Sequence, residues 1–141
     1  MNKLVVGALL LLIVSCGVKP QTGGSKSLYE VLTQQPDGGA NIRFYEILTE
    51  PREISMLTND ENLKDKISSE DITNSNFIIL NMGEKTSGGH SITVESVVET
   101  SDKIVVTVKE NEPSAGGINT TAITYPYSIV KINSKKPIEI K

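Results

Sequence analysis

The chain has 141 residues, with 14 Lys and Arg against 17 Asp and Glu, one His, one Cys and no Trp. A mildly acidic, aromatic-poor composition argues against nucleic acid, because phosphate binding needs clustered Lys and Arg and base stacking needs exposed aromatics. A single cysteine excludes an internal disulfide, so the folded part must be held by packing.

Residues 1–15 open with Lys3, continue as an apolar run from Leu4 to Val14, and end in Ser15 just before Cys16. This order of basic start, apolar middle and small cut-site residues is a secretory signal. The run is about half of the roughly 20 apolar residues a membrane-spanning helix needs. A cysteine after the cut resembles a bacterial lipobox, in which the thiol receives a diacylglyceryl group and, with palmitate-type acyl chains, becomes the mature N-terminus. The expectation is a lipoprotein of the cell envelope, lipidated at Cys16. Gly17 rather than Asp after the cysteine favours the outer membrane, with the domain facing the periplasm or the surface. Removing residues 1–15 leaves 126 residues with 13 basic and 17 acidic side chains, enough for one domain with a core.

Residues 16–27 form the expected lipidated end and tether, since the Gly-, Ser- and Pro-rich run from Gly17 to Ser27 has no apolar periodicity. The single domain is expected over 28–141. Leu28–Thr33 predicts a strand, stopped by the turn Pro36-Asp37-Gly38-Gly39. Ile42, Phe44 and Leu48 alternate with Arg43 and Tyr45, as on a half-buried strand with the first three inside. Pro51 ends it. Thr58-Asn59-Asp60-Glu61 matches a capping box, and Leu63 and Ile67 lie four apart, which predicts one short helix through about Ile67.

From Asn76 onward strands follow one another. Phe77–Met82 is nearly all apolar and suits a strand buried on both faces. Ser91–Thr100 and Lys103–Glu110 are rich in β-branched residues and joined at Ser101-Asp102, which predicts a hairpin with Ile104, Val106 and Val108 on one face. Ala122–Ile132 is a further strand, Ile138–Ile140 a short edge, and Lys135-Lys136 a solvated loop. The fold class is mainly β: an antiparallel β-sandwich or partly open barrel with one short helix.

Catalytic, cofactor and metal motifs are sought without result, so no catalytic residue, no cofactor and no metal site is predicted. His90 stands outside any HExxH spacing, no serine sits in a GxSxG elbow, and no DxDxDG calcium loop occurs. Gly83 and Gly88 have P-loop spacing, but Gly89 and His90 stand where Lys and Ser or Thr are required. Asn119-Thr120-Thr121 fits a glycosylation sequon, which is set aside because the lipobox reading implies a bacterial source. Three loops remain as candidate partner-binding segments: Thr86, Ser87, Gly88, Gly89 and His90; Ala115, Gly116 and Gly117; and Tyr125, Pro126 and Tyr127. Paired glycines permit close backbone approach, and proline flanked by tyrosines in a strand marks an edge or bulge with two candidate anchors. For each loop the plainer reading is turn chemistry and core aromatics.

In order, FIILNMGEKTSGGHSI, ITVESVVETSDKIVVTVKENEP, SAGG and TAITYPYSIVKI resemble the C-terminal domain of the PrcB family, over Phe77–Ile132. These are bacterial lipoproteins named after a subunit that accompanies and stabilises a cell-surface protease. Ser87 replaces the threonine usual before the glycine pair, and His90 replaces a tyrosine, which alters any partner contact made there. The resemblance implies a fold, an envelope location and a non-enzymatic binding subunit with a protein partner, a protease among the candidates. Two alternatives stand beside it. The three loops are loosely similar to the binding edge of chagasin-type cysteine-protease inhibitors, which requires them to cluster at one end. A glycan or small-molecule module would need Tyr45, Tyr125 and Tyr127 exposed in a sheet groove.

Overall fold

The computed structural model describes residues 26–141. The signal segment, Cys16 and most of the expected tether lie outside the described residues. Lys26 and Ser27 are already tied to the domain: the Lys26 ammonium stands 3.8 Å from Asp71, and Asn133 donates to the Ser27 carbonyl at 2.6 Å.

Four strands, β1 (Tyr29–Gln35), β2 (Phe44–Leu48), β3 (Asn76–Asn81) and β6 (Tyr127–Ile132), form an antiparallel sheet in the order β1-β6-β3-β2. A second sheet holds β4 (Ser91–Glu99), β5 (Ile104–Asn111) and β7 (Ile138–Ile140), with β7 parallel to β5. The predicted hairpin is present, closed by Thr100 N–H on the Lys103 carbonyl at 2.8 Å. Ile78, Leu80, Val130 and Ile132 of the first sheet pack against Ile92, Val94, Ile104 and Val106 of the second. The result is the expected mainly-β sandwich.

A third layer covers the outer face of the four-stranded sheet. Ile54, Leu63 and Ile67 pack there against Leu32, Leu48, Phe77 and Ile129. The four-stranded sheet is therefore the middle layer, which is why the centre of β3, Phe77 to Leu80, is apolar on both faces. Burying Phe77 and Ile78 on opposite faces contributes roughly 1.5–3 kcal/mol for each side chain.

The helical layer differs from the expected single helix over 58–67. The helices are α1 (Pro51–Met56), followed by a 3₁₀ turn at Leu57–Asn59, and α2 (Ser69–Asn74). Pro51 both ends β2's extension and begins α1, since a proline N–H is not needed in a first helical turn. Thr58 does not cap: its hydroxyl donates to the Ser55 carbonyl at 2.6 Å. The capping box lies ten residues later, where Ser68 Oγ accepts from Asp71 N–H at 3.1 Å and Asp71 Oδ2 accepts from Ser68 N–H at 3.0 Å. Leu63 and Ile67 are buried as expected, but Leu63 from a turn and Ile67 from the irregular segment before α2 rather than from a helix.

Three further expectations need correction. Ile42, ahead of β2, and Phe44 on it are exposed while Tyr45 packs on the inter-sheet core. The inter-sheet core covers one face of this edge strand at Tyr45, whereas the helical-layer core covers the other at Leu48. The strand expected from Ala122 begins at Tyr127, because Pro126 has no N–H for a ladder; before it, only Thr124 pairs, with Lys85. The Lys135-Lys136 doublet lies in a loop with Lys135 exposed, as expected, but its ammonium groups are also bound. Lys135 Nζ donates to the Thr49 and Ser75 carbonyls and to Asn76 Oδ1, and Lys136 Nζ stands 3.0 Å from Glu99.

Candidate functional site at the loop-bearing end

Strand pairing decides where the three candidate loops lie. Gln35 pairs with Tyr127, Tyr127 with Asn81, Asn81 with Phe44, and Ser91 with Asn111. The segments 36–43, 82–90 and 112–126 therefore all leave the sheets at one end. The candidate loops converge there, and they interlock with one another.

Thr86 to His90 lie under the segment that returns to β6. Lys85 N–H donates to the Thr124 carbonyl at 2.8 Å, Thr124 Oγ1 to the Ser87 carbonyl at 2.8 Å, and Gly88 N–H to the Thr120 carbonyl at 3.0 Å. The glycine pair makes the crossing possible. A Cβ on Gly88 would stand 2.6 Å from Thr120 Oγ1; one on Gly89, whose φ is +86°, would stand 2.6 Å from Asn119 Oδ1 and 2.8 Å from Pro113 Cβ. Asn119 and Thr120 thus belong to the loop assembly. In the sequence they stood out only as two of the three residues of a sequon, and nothing there pairs them with the glycines.

The segment 112–126 forms a strap over the glycine loop, and Ala115, Gly116 and Gly117 are its exposed tip, turned by Gly117 N–H on the Ser114 carbonyl at 3.1 Å. Just beyond it Ile118 is fully exposed, at 106%, and Ile123 is 54% exposed. Tyr125, Pro126 and Tyr127 take the plainer role. Pro126 is buried and its carbonyl accepts from Met82 N–H at 3.0 Å. Tyr127 is half-buried against the helical-layer core. Tyr125 is clasped by the 36–39 turn: its N–H donates to Asp37 Oδ1 at 2.9 Å and its carbonyl accepts from Gly39 N–H at 2.8 Å.

His90 lies between Ser87, whose Oγ is 3.3 Å from Nε2, and Glu112, whose Oε2 is 3.1 Å from Nδ1 but out of line for a hydrogen bond. Hydroxyl, imidazole and carboxylate in that order are the parts of a nucleophile relay. Here the Ser87 hydroxyl donates to the Gly88 carbonyl at 3.1 Å, whereas a relay needs that proton directed at the imidazole. In this arrangement Ser87 and His90 meet within the loop, and Glu112, just past β5, stands beside the imidazole without a hydrogen bond to it.

A second cluster, which the sequence does not announce, pins the two sheets together at the same end. Glu110 Oε1 accepts from Arg43 Nε and from the Tyr45 hydroxyl, each at 2.9 Å, and the Arg43 guanidinium sits 4.9 Å above the Tyr45 ring. Burial, followed by the bond to Glu110, pushes the Tyr45 phenol up to about 12. Burial also works to raise Glu110, but its hydrogen bonds from Tyr45 and Arg43 outweigh that and hold it below the usual carboxylate range. Tyr45, Tyr125 and Tyr127 are thus all half-buried and engaged within the protein, so they form no open stacking groove.

Fold and loops together define a two-sheet β domain with a helical layer on one side and a knot of interlocked loops at one end. Residues 76–133 match the family model described as PrcB C-terminal, in agreement with the resemblance read over 77–132. All three candidate loops fall within the matched segment. No curated protein and no solved structure matches the chain.

Proposed function

We propose that the loop-bearing end is the surface by which this protein binds and stabilises another exported protein, a protease being the class that the family's name suggests. The carrying observation is the convergence of the three loops on one end, with Ile118 and Ile123 exposed on a strap whose base is fixed by hydrogen bonds. Large apolar side chains held in water on a fixed base are suited to a partner's surface. Lipidation at Cys16 would concentrate that surface at the envelope membrane, raising the effective concentration of a membrane-bound or secreted partner.

Affinity purification of the tagged protein from its own envelope tests this reading. One specific exported partner should be retained by wild type and lost with Ile118→Asp. Recovery of no specific partner, alongside hydrolytic activity in the pure protein, would sink it. Cys16→Ala should leave the fold and the isolated affinity intact while moving the protein from the membrane to the soluble fraction.

A second reading, inhibition of a cysteine protease by the loops, is favoured by the same convergence. It is weakened by Pro126 and Tyr127, which are built into the core. Titration of papain with the pure protein separates the two readings: stoichiometric inhibition supports the second.

A further inference from the structure

The outer face of the four-stranded sheet carries a groove of about 280 Å³ beside β2, outside the loop assembly. Its floor and walls are Leu48, Met56, Leu57 and Ile79, and its rim carries Glu46 and Glu53. Met56 is 66% exposed although it lies in an apolar setting. Phe44 continues the same face, because residues two apart on a strand point the same way. β2 is the last strand of its sheet, and among the described residues nothing pairs with its outer edge. Neither Glu46 nor Glu53 has an ion-pair partner among the described residues.

We propose that this edge and groove form a docking site for an extended segment of another protein, which adds to the sheet as a fifth strand. Strand addition supplies main-chain hydrogen bonds, and alternate side chains supply specificity. The strand sequence Phe44-Tyr45-Glu46-Ile47-Leu48 places Glu46 on the groove face between Phe44 and Leu48. The matching segment has Lys or Arg opposite Glu46 and apolar residues two positions to either side. Glu53, across the groove, adds a second negative charge for the same cation.

The charge pattern also disfavours a second copy of this chain. The antiparallel register that pairs all five residues of β2 with themselves sets Glu46 against Glu46, and like charges directly opposite are destabilising. Sliding by two residues sets the carboxylate against Leu48 or Phe44, and sliding by one turns the groove face away. A charge on an edge strand can also act purely as a guard against unwanted pairing, so the experiment must separate recognition from repulsion.

The test uses the purified full chain and two labelled peptides, Thr-Val-Thr-Lys-Thr-Val-Thr and the same peptide with Glu at the centre, followed by fluorescence anisotropy. Wild type should bind the Lys peptide roughly tenfold more tightly than the Glu peptide, as expected from opposite against like charge in a cross-strand pair. Glu46→Lys should abolish the preference, since Glu53 remains, Glu46→Lys combined with Glu53→Lys should reverse it, and Met56→Ser should weaken both peptides. All variants must keep the wild-type circular dichroism. Equal binding of the two peptides, no binding at millimolar peptide, or an unchanged preference in Glu46→Lys would overturn the proposal. So would a wild-type dimer that Glu46→Lys abolishes. Ile118→Asp should leave peptide binding unchanged, which keeps this test separate from that of the loops.

Discussion

The glycine pair offers a direct test of the loop interlock, because its two members and Gly116 meet different surroundings. Gly89 and Gly116 both have positive φ, at +86° and +82°. An L side chain there costs about 1–2 kcal/mol in backbone energy alone. A Cβ on Gly116 meets nothing within 4 Å, so Gly116→Ala should stop at that figure. On Gly89 it meets Asn119 Oδ1 at 2.6 Å and Pro113 Cβ at 2.8 Å, and forced overpacking adds about 1–3 kcal/mol. Gly89→Ala should therefore cost about 2–5 kcal/mol. Gly88 is a third case: no positive φ applies, and the close atom is one hydroxyl, Thr120 Oγ1 at 2.6 Å. Gly88→Ala should cost about 1 kcal/mol, and Thr120→Ala should relieve most of it in a double-mutant cycle. Urea unfolding of wild type and the five variants measures all of this, with roughly 4 °C in Tm per kcal/mol as a cross-check. Equal costs at Gly89 and Gly116, or no rescue of Gly88→Ala by Thr120→Ala, would show that the strap does not press on the glycine loop.

Glu110→Gln should bring the Tyr45 phenol down from about 12 while leaving it above 10, because burial remains after the charge is gone; phenolate absorbance on titration reads this, and no change would refute the Arg43–Tyr45–Glu110 arrangement. Asp71→Asn should cost about 1–3 kcal/mol near neutral pH, since it weakens the α2 cap and removes a carboxylate 3.4 Å from the buried Lys131 ammonium. Burial works to raise Asp71, but hydrogen bonds from Ser68 and the charge of Lys131 outweigh it and hold the folded value below the ordinary 3.8. Its contribution is therefore present above about pH 4 and lost as pH falls through the folded value, so stability against pH should be flatter on the acid limb for Asp71→Asn. The segment 76–133 expressed alone should lack cooperative unfolding in denaturant, because β3 and β6 would lose their outer neighbours β2 and β1 and expose Phe77 and Ile129.

What the sequence made legible follows from where the physics is local. The Ser91–Glu99 and Ile104–Asn111 hairpin is encoded by neighbours: β-branched residues on both sides of a short polar turn. The doubly buried β3 shows as an unbroken apolar run, and the short edge at 138–140 as an isolated alternation. Two errors arise where local signals compete. Thr58 to Glu61 and Ser68 to Asp71 both have capping-box chemistry, and tertiary packing selects the second. Phe44 and Tyr45 both suit a strand, and the inside face goes to Tyr45 because Glu110, distant in sequence, is there to receive its hydroxyl. The loop site was legible in part. Glycine pairs marked where the backbone makes a close approach, but their contacts, Pro113, Asn119 and Thr120, come from a segment about thirty residues later. No spacing rule in a single sequence joins them.

The two surfaces have different origins in the chain. Thr86–His90, Ala115–Gly117 and Tyr125–Tyr127 all lie within the segment that matches the PrcB C-terminal model. Of the groove residues only Ile79 does; Glu46, Leu48, Glu53, Met56 and Leu57 precede it. The loops are attached to the β3–β6 pair and to the second sheet, whereas the groove exists only because β2 and α1 lie against the middle layer. Both share one support, since β3 ends in the glycine loop and carries Ile79 on its helical face. A substitution at Phe77 or Ile78 would disturb both surfaces together, while Ile118 and Met56, both exposed, can be altered one at a time. The function of each surface is thus separable by mutation even though their stability is shared.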